Sequence, residues 1–350
     1  MQRWFSRPWA QRIATYVALA AWALLLALLA AGCGRVGEQV VVYTSHDQVF
    51  SEPVLRDFEQ RTGIRVRAVY DTEETKSAGV ALRLVAERER PQADVFWANE
   101  PLRPVMLAQQ DVLAPYASPA AAGIPPRYRD PANDWIGFAA RARVIVHNTI
   151  AVPASAAPRT VRDLTDPRWK GRAGLANPLF GTTTTQIAAL WALWGEAETK
   201  RFLAEVKANG VRIVSSNGEA RDLVASGELA WAFTDTDDAN VALEQRKPVA
   251  VVYPDQDGIG TLVMPNAVAL IKGAPHPQEG RQLIDYLLSP AVEARLAASS
   301  AAQMPLHPGV AVPAHVKPVS AIRDMPVTFG DLGRTVEQIL PFLREWAGSR

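Results

Sequence analysis

A repeated order of strand and helix near the start of the chain most constrains its fold. The predicted strand Gln39–Tyr43 has continuous apolar residues after Gln39, which is typical of a strand buried on both faces of a parallel sheet. Residues 49–62 then carry valine, leucine and phenylalanine at helical spacing, and Ile64–Tyr70 is the next predicted strand. A helix from Thr75 to about residue 90 and a strand at Ala93–Ala98 follow. This order predicts an α/β sheet with right-handed crossovers.

The alternation continues along the chain, and 350 residues suffice for two separate cores. Strands are predicted at Arg143–Thr149, Glu228–Asp235, Val249–Pro254 and Leu262–Gly273. Helices are predicted from about Thr183 and at Asn217–Ser226, Pro277–Leu288, Ala291–Ser299 and Thr335–Trp346. We expect the chain to cross between two α/β lobes near Ala140 and near Gly260. The first lobe comprises residues 33–140 and 262–310, and the second comprises 141–261 and 311–350.

Residues 1–32 are predicted to direct export, because three arginines precede an apolar stretch that ends in small residues. The stretch is also long enough to span a bilayer, so a retained anchor stays open. Cys33, the only cysteine, follows a small dipeptide as in a lipobox, although the usual leucine is displaced to Leu29. Lipidation at Cys33 is favoured over plain cleavage, and each option places residues 38–350 outside the cytoplasm.

The exported part is close to neutral. Three of the 37 basic residues lie in residues 1–32, which leaves 34 against 36 acidic residues, a net charge of −2. Nucleic-acid binders usually present a basic face, so no nucleic-acid partner is expected. The chain also has no G-x-S-x-G, no G-x-x-x-x-G-K-[ST] and no H-E-x-x-H motif. We therefore expect a binding protein and not an enzyme.

Several candidate ligand-binding residues follow predicted strands, where the carboxyl ends of parallel strands line a cleft. Ser45, His46 and Asp47 come directly after the first strand. Four threonines then enter a helix in GTTTTQ, where free backbone N–H groups and the helix dipole favour an anion. The predicted anion pole comprises Gly181, Thr182, Thr183 and Thr184, together with Arg141. Simple helix capping is the alternative.

Two further segments complete the predicted cleft. Arg141 and Arg143 lie on one face of a strand, where a guanidinium clamps a phosphate or carboxylate. For Arg143 a surface salt bridge is the favoured alternative. The loop TDTDDA crowds Asp235, Asp237 and Asp238 together, which suits a metal ion or an ammonium group. Helix capping by these aspartates is equally open, and capping is the favoured role of Asn217.

The chain resembles bacterial extracellular solute-binding proteins of the ferric-iron-binding type, the capture subunits of ABC importers. The resemblance is carried, in order, by VVVYTSHDQVFSEPVLRDFEQRTGIRV, ADVFWANE, RARVIVHNT, DPRWKGRAGLANP, SNGEARDLVASGELAWAF and NAVALIKGAPHPQEGRQLIDYLLS. It implies a two-lobed type II periplasmic-binding-protein fold with two interlobe crossing strands. It also implies a permease and an ATPase as partners, and a place in the periplasm or at the outer face of the cytoplasmic membrane.

Iron-binding members of this family hold Fe(III) with a histidine, a glutamate, two adjacent tyrosines and a bound anion. His46 and Glu100 match the histidine and the glutamate, and Arg141 matches an anion-contacting arginine. No two tyrosines are adjacent in this chain, and Asp237 and Asp238 stand where the pair is expected. The resemblance therefore leaves a tyrosine-coordinated ferric site in doubt.

The predicted cleft thus has an anion pole and a cation pole, the latter formed by His46, Glu100, Asp237 and Asp238. A phosphonate, phosphate ester or other small zwitterion satisfies both poles and is slightly favoured. Ferric iron with a helper anion, bound as cargo by histidine, glutamate and aspartate, is the alternative, and no resident cofactor is required. A ligand sensor for a membrane partner is the competing class of function.

Overall fold

A computed structural model describes residues 38–71 and 78–348 of the chain. Gln39–Arg350 form one compact unit. The predicted signal sequence of residues 1–32 and the lipidation site Cys33 lie outside the described residues. No helix within the described part is long and apolar enough to cross a membrane.

Ten strands belong to one mixed sheet. They are β1 (Gln39–Thr44), β2 (Arg65–Tyr70), β3 (Val95–Ala98), β4 (Leu113–Ala114), β5 (Ile136–Asn148), β6 (Ala173–Ala176), β7 (Arg212–Val214), β8 (Trp231–Asp235), β9 (Val249–Val252) and β10 (Val263–Ile271). The ten α-helices described are α1 (Gln48–Thr62), α2 (Ala78–Ala86), α3 (Leu102–Gln109), α4 (Gly181–Trp194), α5 (Glu196–Ala208), α6 (Asn217–Ser226), α7 (Thr236–Glu244), α8 (Pro277–Leu287), α9 (Pro290–Ala298) and α10 (Phe329–Gly348).

The sheet order is β2-β1-β3-β10-β5-β8-β6-β7, with β4 paired to β10 and β9 to β5. In one half, β1 pairs in parallel with β2 and β3. In the other half, β6 pairs in parallel with β7 and β8. The strands between the halves, β10 and β5, are antiparallel to their neighbours. Each half is thus a parallel α/β unit, as the sequence predicts.

Strand β5 joins the two halves. Its first part pairs with β10 through Ile136–Ala142, and its second part pairs with β8 and β9 through Arg143–Asn148. All 13 residues are buried, so both faces of this strand lie in the core. The prediction that the chain crosses near Ala140 agrees with this strand. The predicted start at Arg143 is wrong by seven residues, because glycine and alanine dominate the first part and give little strand signal.

Other element boundaries agree within a few residues, but three helices were not predicted. Helices α3 and α5 follow segments in which proline and glycine suggest loops. Helix α7 begins in TDTDDA, whose three acids obscure the apolar positions that follow. The C-terminal helix α10 begins six residues before the predicted Thr335 and continues through Pro341. Packing of α10 against α3 and α4 stabilises it where its own sequence gives a weak helix signal.

Candidate functional site

A cavity of about 500 Å³ lies where β1, β3, β6, β7 and β8 end. These are carboxyl ends of parallel strands, the usual position of ligands in such sheets. All but three of the wall residues come from the segment 176–238. The wall consists of Asp47, Asn99, Arg141, Ala176, Asn177, Phe180, Gly181, Thr182, Thr183, Ser215, Ser216, Asn217, Gly218, Glu219, Arg221, Asp222, Leu223, Asp235 and Asp238.

The N-terminus of α4 forms one side of the cavity through Gly181, Thr182 and Thr183. Gly181 has a φ of 56°, a left-handed conformation that glycine adopts without strain, and it turns the chain from Phe180 into the helix. No side chain caps this N-terminus. Because the first N–H groups of a helix lack intrahelical acceptors, this end is suited to bind an anion.

The predicted anion-pole hydroxyls are mostly engaged within the protein. Thr182 Oγ1 donates to Asp235 Oδ2 at 2.7 Å and accepts from Arg143 and Asn217. Thr184 Oγ1 donates to the carbonyl oxygen of Pro178 and lies outside the cavity wall. Thr183 Oγ1 accepts from Arg143 Nη2 at 3.3 Å. The backbone N–H groups of α4, with the hydroxyl proton of Thr183 beside them, are therefore what this helix offers to a ligand.

Arg143 forms the centre of a buried polar network. It is 0% exposed, and its Nη1 donates to Asp235 Oδ1 at 2.7 Å, to Thr182 at 3.0 Å and to Asn217 at 3.0 Å. The predicted surface salt bridge is wrong, because both ends of this ion pair are buried. The favoured capping role of Asn217 is also wrong, since the Ser216 hydroxyl accepts from the backbone of Glu219 and caps α6.

Arg141 connects the two predicted poles. Its Nη1 lies 2.8 Å from Asp237 Oδ2, and both side chains are 3% exposed. Burial would lower the pKa of Arg141, but the carboxylates of Asp237 and neighbouring aspartates raise it above its ordinary value. The guanidinium thus stays charged, and it neutralises one member of the acidic cluster.

His46 lies beside Arg141 and not in the 500 Å³ cavity. Arg141 Nη2 lies 3.3 Å from His46 Nδ1, and the Gln303 amide lies 3.3 Å from His46 Nε2. Because a guanidinium only donates, Nδ1 is the acceptor in this contact. The ring lines an adjoining hollow of about 600 Å³ together with Ser45 and Phe50. Both imidazole nitrogens therefore have polar neighbours within the protein.

Arg221 was missed by sequence reasoning and lies in the walls of both hollows. Its Nε lies 2.8 Å from Asp222 and its Nη1 lies 3.7 Å from Asp238. Asp47 and Asp238 are likewise shared by the two hollows. The signal for Arg221 was available, because it stands four residues after Asn217, on the same face of the predicted helix.

Glu100 does not line the cavity, although it was predicted to belong to its cation pole. It is 1% exposed and lies outside both hollows. Its oxygens accept from the backbone N–H groups of Leu102 and Arg103 and from the Thr185 hydroxyl. Burial raises its pKa above the ordinary value. Glu100 thus caps α3 instead of facing a ligand, because its carboxylate reaches the free donors of the first turn.

The structure brings the three aspartates of the predicted acidic cluster together, and neighbouring arginines largely neutralise their charge. Oxygen atoms of Asp235, Asp237 and Asp238 lie within 4.8 Å of one another, close enough to hold a metal ion. Each of these aspartates also has an arginine within 3.7 Å, namely Arg143, Arg141 and Arg221 in that order. The predicted cation pole and anion pole are thus interleaved and not separate.

Comparison with known proteins identifies the family. Residues 93–321 match the family described as bacterial extracellular solute-binding protein. The chain belongs to this family. Its members are transport components without catalytic activity, which confirms the expectation that the chain is not an enzyme.

Relatives that are similar to this chain differ in what they are named for. The major ferric iron-binding protein of Neisseria meningitidis serogroup B is 25% identical over 86% of this chain and 90% of its own length. A putative 2-aminoethylphosphonate-binding periplasmic protein of Salmonella typhi is 28% identical over 68% of this chain and 69% of its own. Iron-bound HitA of Pseudomonas aeruginosa superposes with a TM-score of 0.81 at 25% identity, covering 88% of this chain and 99% of HitA.

These similarities confirm the predicted fold class, the two-lobed type II periplasmic-binding-protein fold. They also establish that the chain is a periplasmic solute-binding protein of the ferric-iron-binding type. The positions of the lobe boundaries stay a prediction.

Proposed function

We propose that this family member captures a small zwitterionic organophosphorus compound, such as an aminoalkylphosphonate or an amino phosphate ester, for an ABC importer. The observation that carries the proposal is the composition of the cavity wall. One side presents the uncapped N-terminus of α4 beside Arg141, and the rest presents more carboxylates than guanidinium groups.

The phosphonate group would lie at the N-terminus of α4. Backbone N–H groups at a helix N-terminus and an adjacent guanidinium are the donors that phosphate oxygens prefer. Gly181 has no Cβ and open space around it, so an anion can approach the backbone closely. Arg141 reaches the same cavity from β5.

The amine would face the carboxylates. Asp47, Glu219, Asp222, Asp235 and Asp238 line the cavity, whereas only two arginines do. Asp235 already pairs with the buried Arg143, but the remaining excess of negative charge favours an ammonium group. A volume of about 500 Å³ also suits an organic molecule better than a bare ion.

Ferric iron with a helper anion is the second candidate, and the clustering of Asp235, Asp237 and Asp238 is the observation that favours it. These hard oxygen donors suit Fe(III), with the anion at the N-terminus of α4. Against it, Glu100 lies outside the cavity, and His46 is enclosed by Arg141 and Gln303. Iron binding would thus require these contacts to rearrange.

A thermal-shift screen of the metal-stripped chain from residue 34 separates the candidates. The ligands are 2-aminoethylphosphonate, ethylphosphonate, phosphate, a sugar phosphate and ferric citrate. A ligand at 100 times its dissociation constant adds roughly 2.7 kcal/mol to the free energy of unfolding. We expect the largest shift from 2-aminoethylphosphonate and a smaller one from ethylphosphonate, which lacks the amine. A shift with iron alone would reject the proposal in favour of the ferric candidate.

The location and partners follow from the family. Relatives are named periplasmic, which supports a periplasmic location for residues 38–350.

We propose attachment to the membrane by a lipid on Cys33, and docking to a permease and ATPase pair. Labelling of Cys33 by a radioactive fatty acid in cells tests the lipid. Uptake of the solute that depends on both this chain and the permease separates transport from sensing.

A further inference from the structure

A second, mostly apolar pocket of about 380 Å³ lies between α2, α3, α10 and the loop before α4. Its wall consists of Ala81, Leu82, Val85, Arg103, Met106, Leu107, Gln110, Leu179, Phe180, Leu340 and Arg344. Phe180 is the wall residue that this pocket shares with the solute cavity. The wall contains no acidic side chain and two arginines, so it differs chemically from the solute cavity.

Arg103 is the unusual member of this wall. Arg103 is about nine-tenths buried, with 8% of the residue exposed, yet its guanidinium donates to Met106 Sδ at 3.5 Å. Among residues 38–71 and 78–348, no carboxylate lies within 4.0 Å of it. The other two deeply buried arginines, Arg141 and Arg143, have carboxylate oxygens at 2.8 and 2.7 Å. Burying a guanidinium without an anion is costly, so this pocket is short of one negative group.

Glu100 does not supply that group. The charge of Arg103 acts to lower the pKa of Glu100, but burial dominates and the net shift is upward, towards the neutral acid. The Glu100 oxygens accept from the backbone N–H groups of Leu102 and Arg103 and from Thr185. The carboxylate is thus committed to the first turn of α3 and to α4.

Arg344 adds a second positive charge. It is exposed on α10, and no ion pair joins it to a described carboxylate. One buried guanidinium, one exposed guanidinium and a wall of leucine, valine, methionine and phenylalanine match a small molecule with an apolar body and an anionic head.

We propose that this pocket binds a small amphiphilic carboxylate, with its head at Arg103 and its chain between α2 and α10. The site is distinct from the solute cavity, and it does not depend on which solute that cavity takes. Octanoate is a suitable probe, because a pocket of 380 Å³ accommodates an eight-carbon chain.

Isothermal titration of the delipidated protein with octanoate tests the proposal. We expect one octanoate per chain, with octan-1-ol, octylammonium and acetate each binding at least tenfold more weakly. Arg103→Gln should weaken octanoate binding at least tenfold, and Leu340→Trp should fill the pocket and abolish it. Arg334→Gln, on the same helix but outside the pocket wall, is the matched control and should bind octanoate as the wild type does.

Three outcomes would overturn the proposal. The first is a failure of the wild-type protein to bind octanoate. The second is equal binding of octanoate and octan-1-ol, which would remove the role of the charge. The third is loss of octanoate binding in Thr183→Ala with normal binding in Leu340→Trp, which would place the probe in the solute cavity. Circular dichroism melting shows whether each variant is folded. If Arg103→Gln does not fold, octanoate binding by Leu340→Trp tests the proposal in its place.

Discussion

The two sides of the solute cavity are built differently. The side formed by residues 176–238 contributes the N-termini of α4, α6 and α7 and most of the charged groups, and a buried Arg143–Asp235 ion pair supports it. The side formed by the loops after β1 and β3 contributes only Asp47 and Asn99. The other polar residues of these loops bind to neighbouring groups of the protein. For example, Ser45 Oγ donates to Asn99 Oδ1 at 3.1 Å.

We expect the two sides of the cavity to have different roles, one in recognising the ligand and the other in closing over it. The side with the helix N-termini provides charges that are positioned before any ligand arrives, which is the condition for selective binding at low cost in reorganisation. The opposite side provides few groups, and we expect it to complete the site by closing over the ligand. Substitutions in residues 176–238 and in Arg141 should therefore change affinity. Those in the opposite loops should change it little, except at Asp47, which is among the carboxylates proposed to face the amine.

The largest effect is expected from the ion pair that supports the recognition side. Arg143→Met leaves Asp235 buried without its partner and should lower the free energy of unfolding by about 3–5 kcal/mol. Urea denaturation measures the loss. The double variant Arg143→Met with Asp235→Asn should lose less than the sum of the two single variants. Additive losses would show that the pair is not coupled and that the recognition side is less ordered than the structure indicates.

Binding should follow the same division between sides. Thr183→Ala or Arg141→Ala should weaken binding of the phosphonate by about 1–3 kcal/mol, because charged hydrogen bonds are left unmade. Asn99→Ala, on the opposite side of the same cavity, is the matched control and should change affinity by less than threefold. Titration calorimetry measures both. Unchanged affinity in both recognition-side variants would eliminate the proposed anion site.

The fold was predictable because its signal is local. The apolar run of β1 and the helical spacing in α1 specify elements whose order permits few topologies. The site was less predictable, since its geometry depends on pairings between distant residues. Asp235 and Arg143 are 92 positions apart, and nothing in TDTDDA shows that each aspartate faces an arginine.

The predictions that misplaced residues have a common physical reason. Glu100 was identified by resemblance alone, and His46 by resemblance and by its position after the first strand. Both signals give a position in the chain but not the direction of a side chain. Capping of α3 determines the direction of Glu100, and Arg141 determines that of His46. Conversely, Arg221 was missed even though its spacing from Asn217 places both on one face of α6, and its contact with Asp238 appears only when α6 and α7 are placed together.

The acidic cluster distinguishes an amine from a metal on the recognition side. Asp237→Asn with Asp238→Asn should abolish retention of ferric iron if iron is the cargo, because two of three clustered oxygen ligands are weakened. For 2-aminoethylphosphonate we expect a loss of tenfold or more, and for ethylphosphonate a loss below threefold. Equal losses for the two phosphonates would show that the aspartates do not contact the amine.

The smallest effects are expected from Glu100, on the opposite side. Burial raises its folded-state pKa, so the neutral acid is favoured on folding. The associated stability is fully present below the unfolded pKa of about 4.3 and is lost as pH rises through the folded pKa. Glu100→Gln should therefore gain stability relative to the wild type as pH rises from 4 to 8. Glu100→Ala should stay about 1 kcal/mol less stable than Glu100→Gln at each pH, through the missing cap. Denaturation at several pH values measures both changes, and phosphonate affinity should stay within twofold in each variant. A tenfold loss of affinity in a folded Glu100→Gln protein would make Glu100 a ligand-binding residue, and the two sides of the cavity would then share recognition.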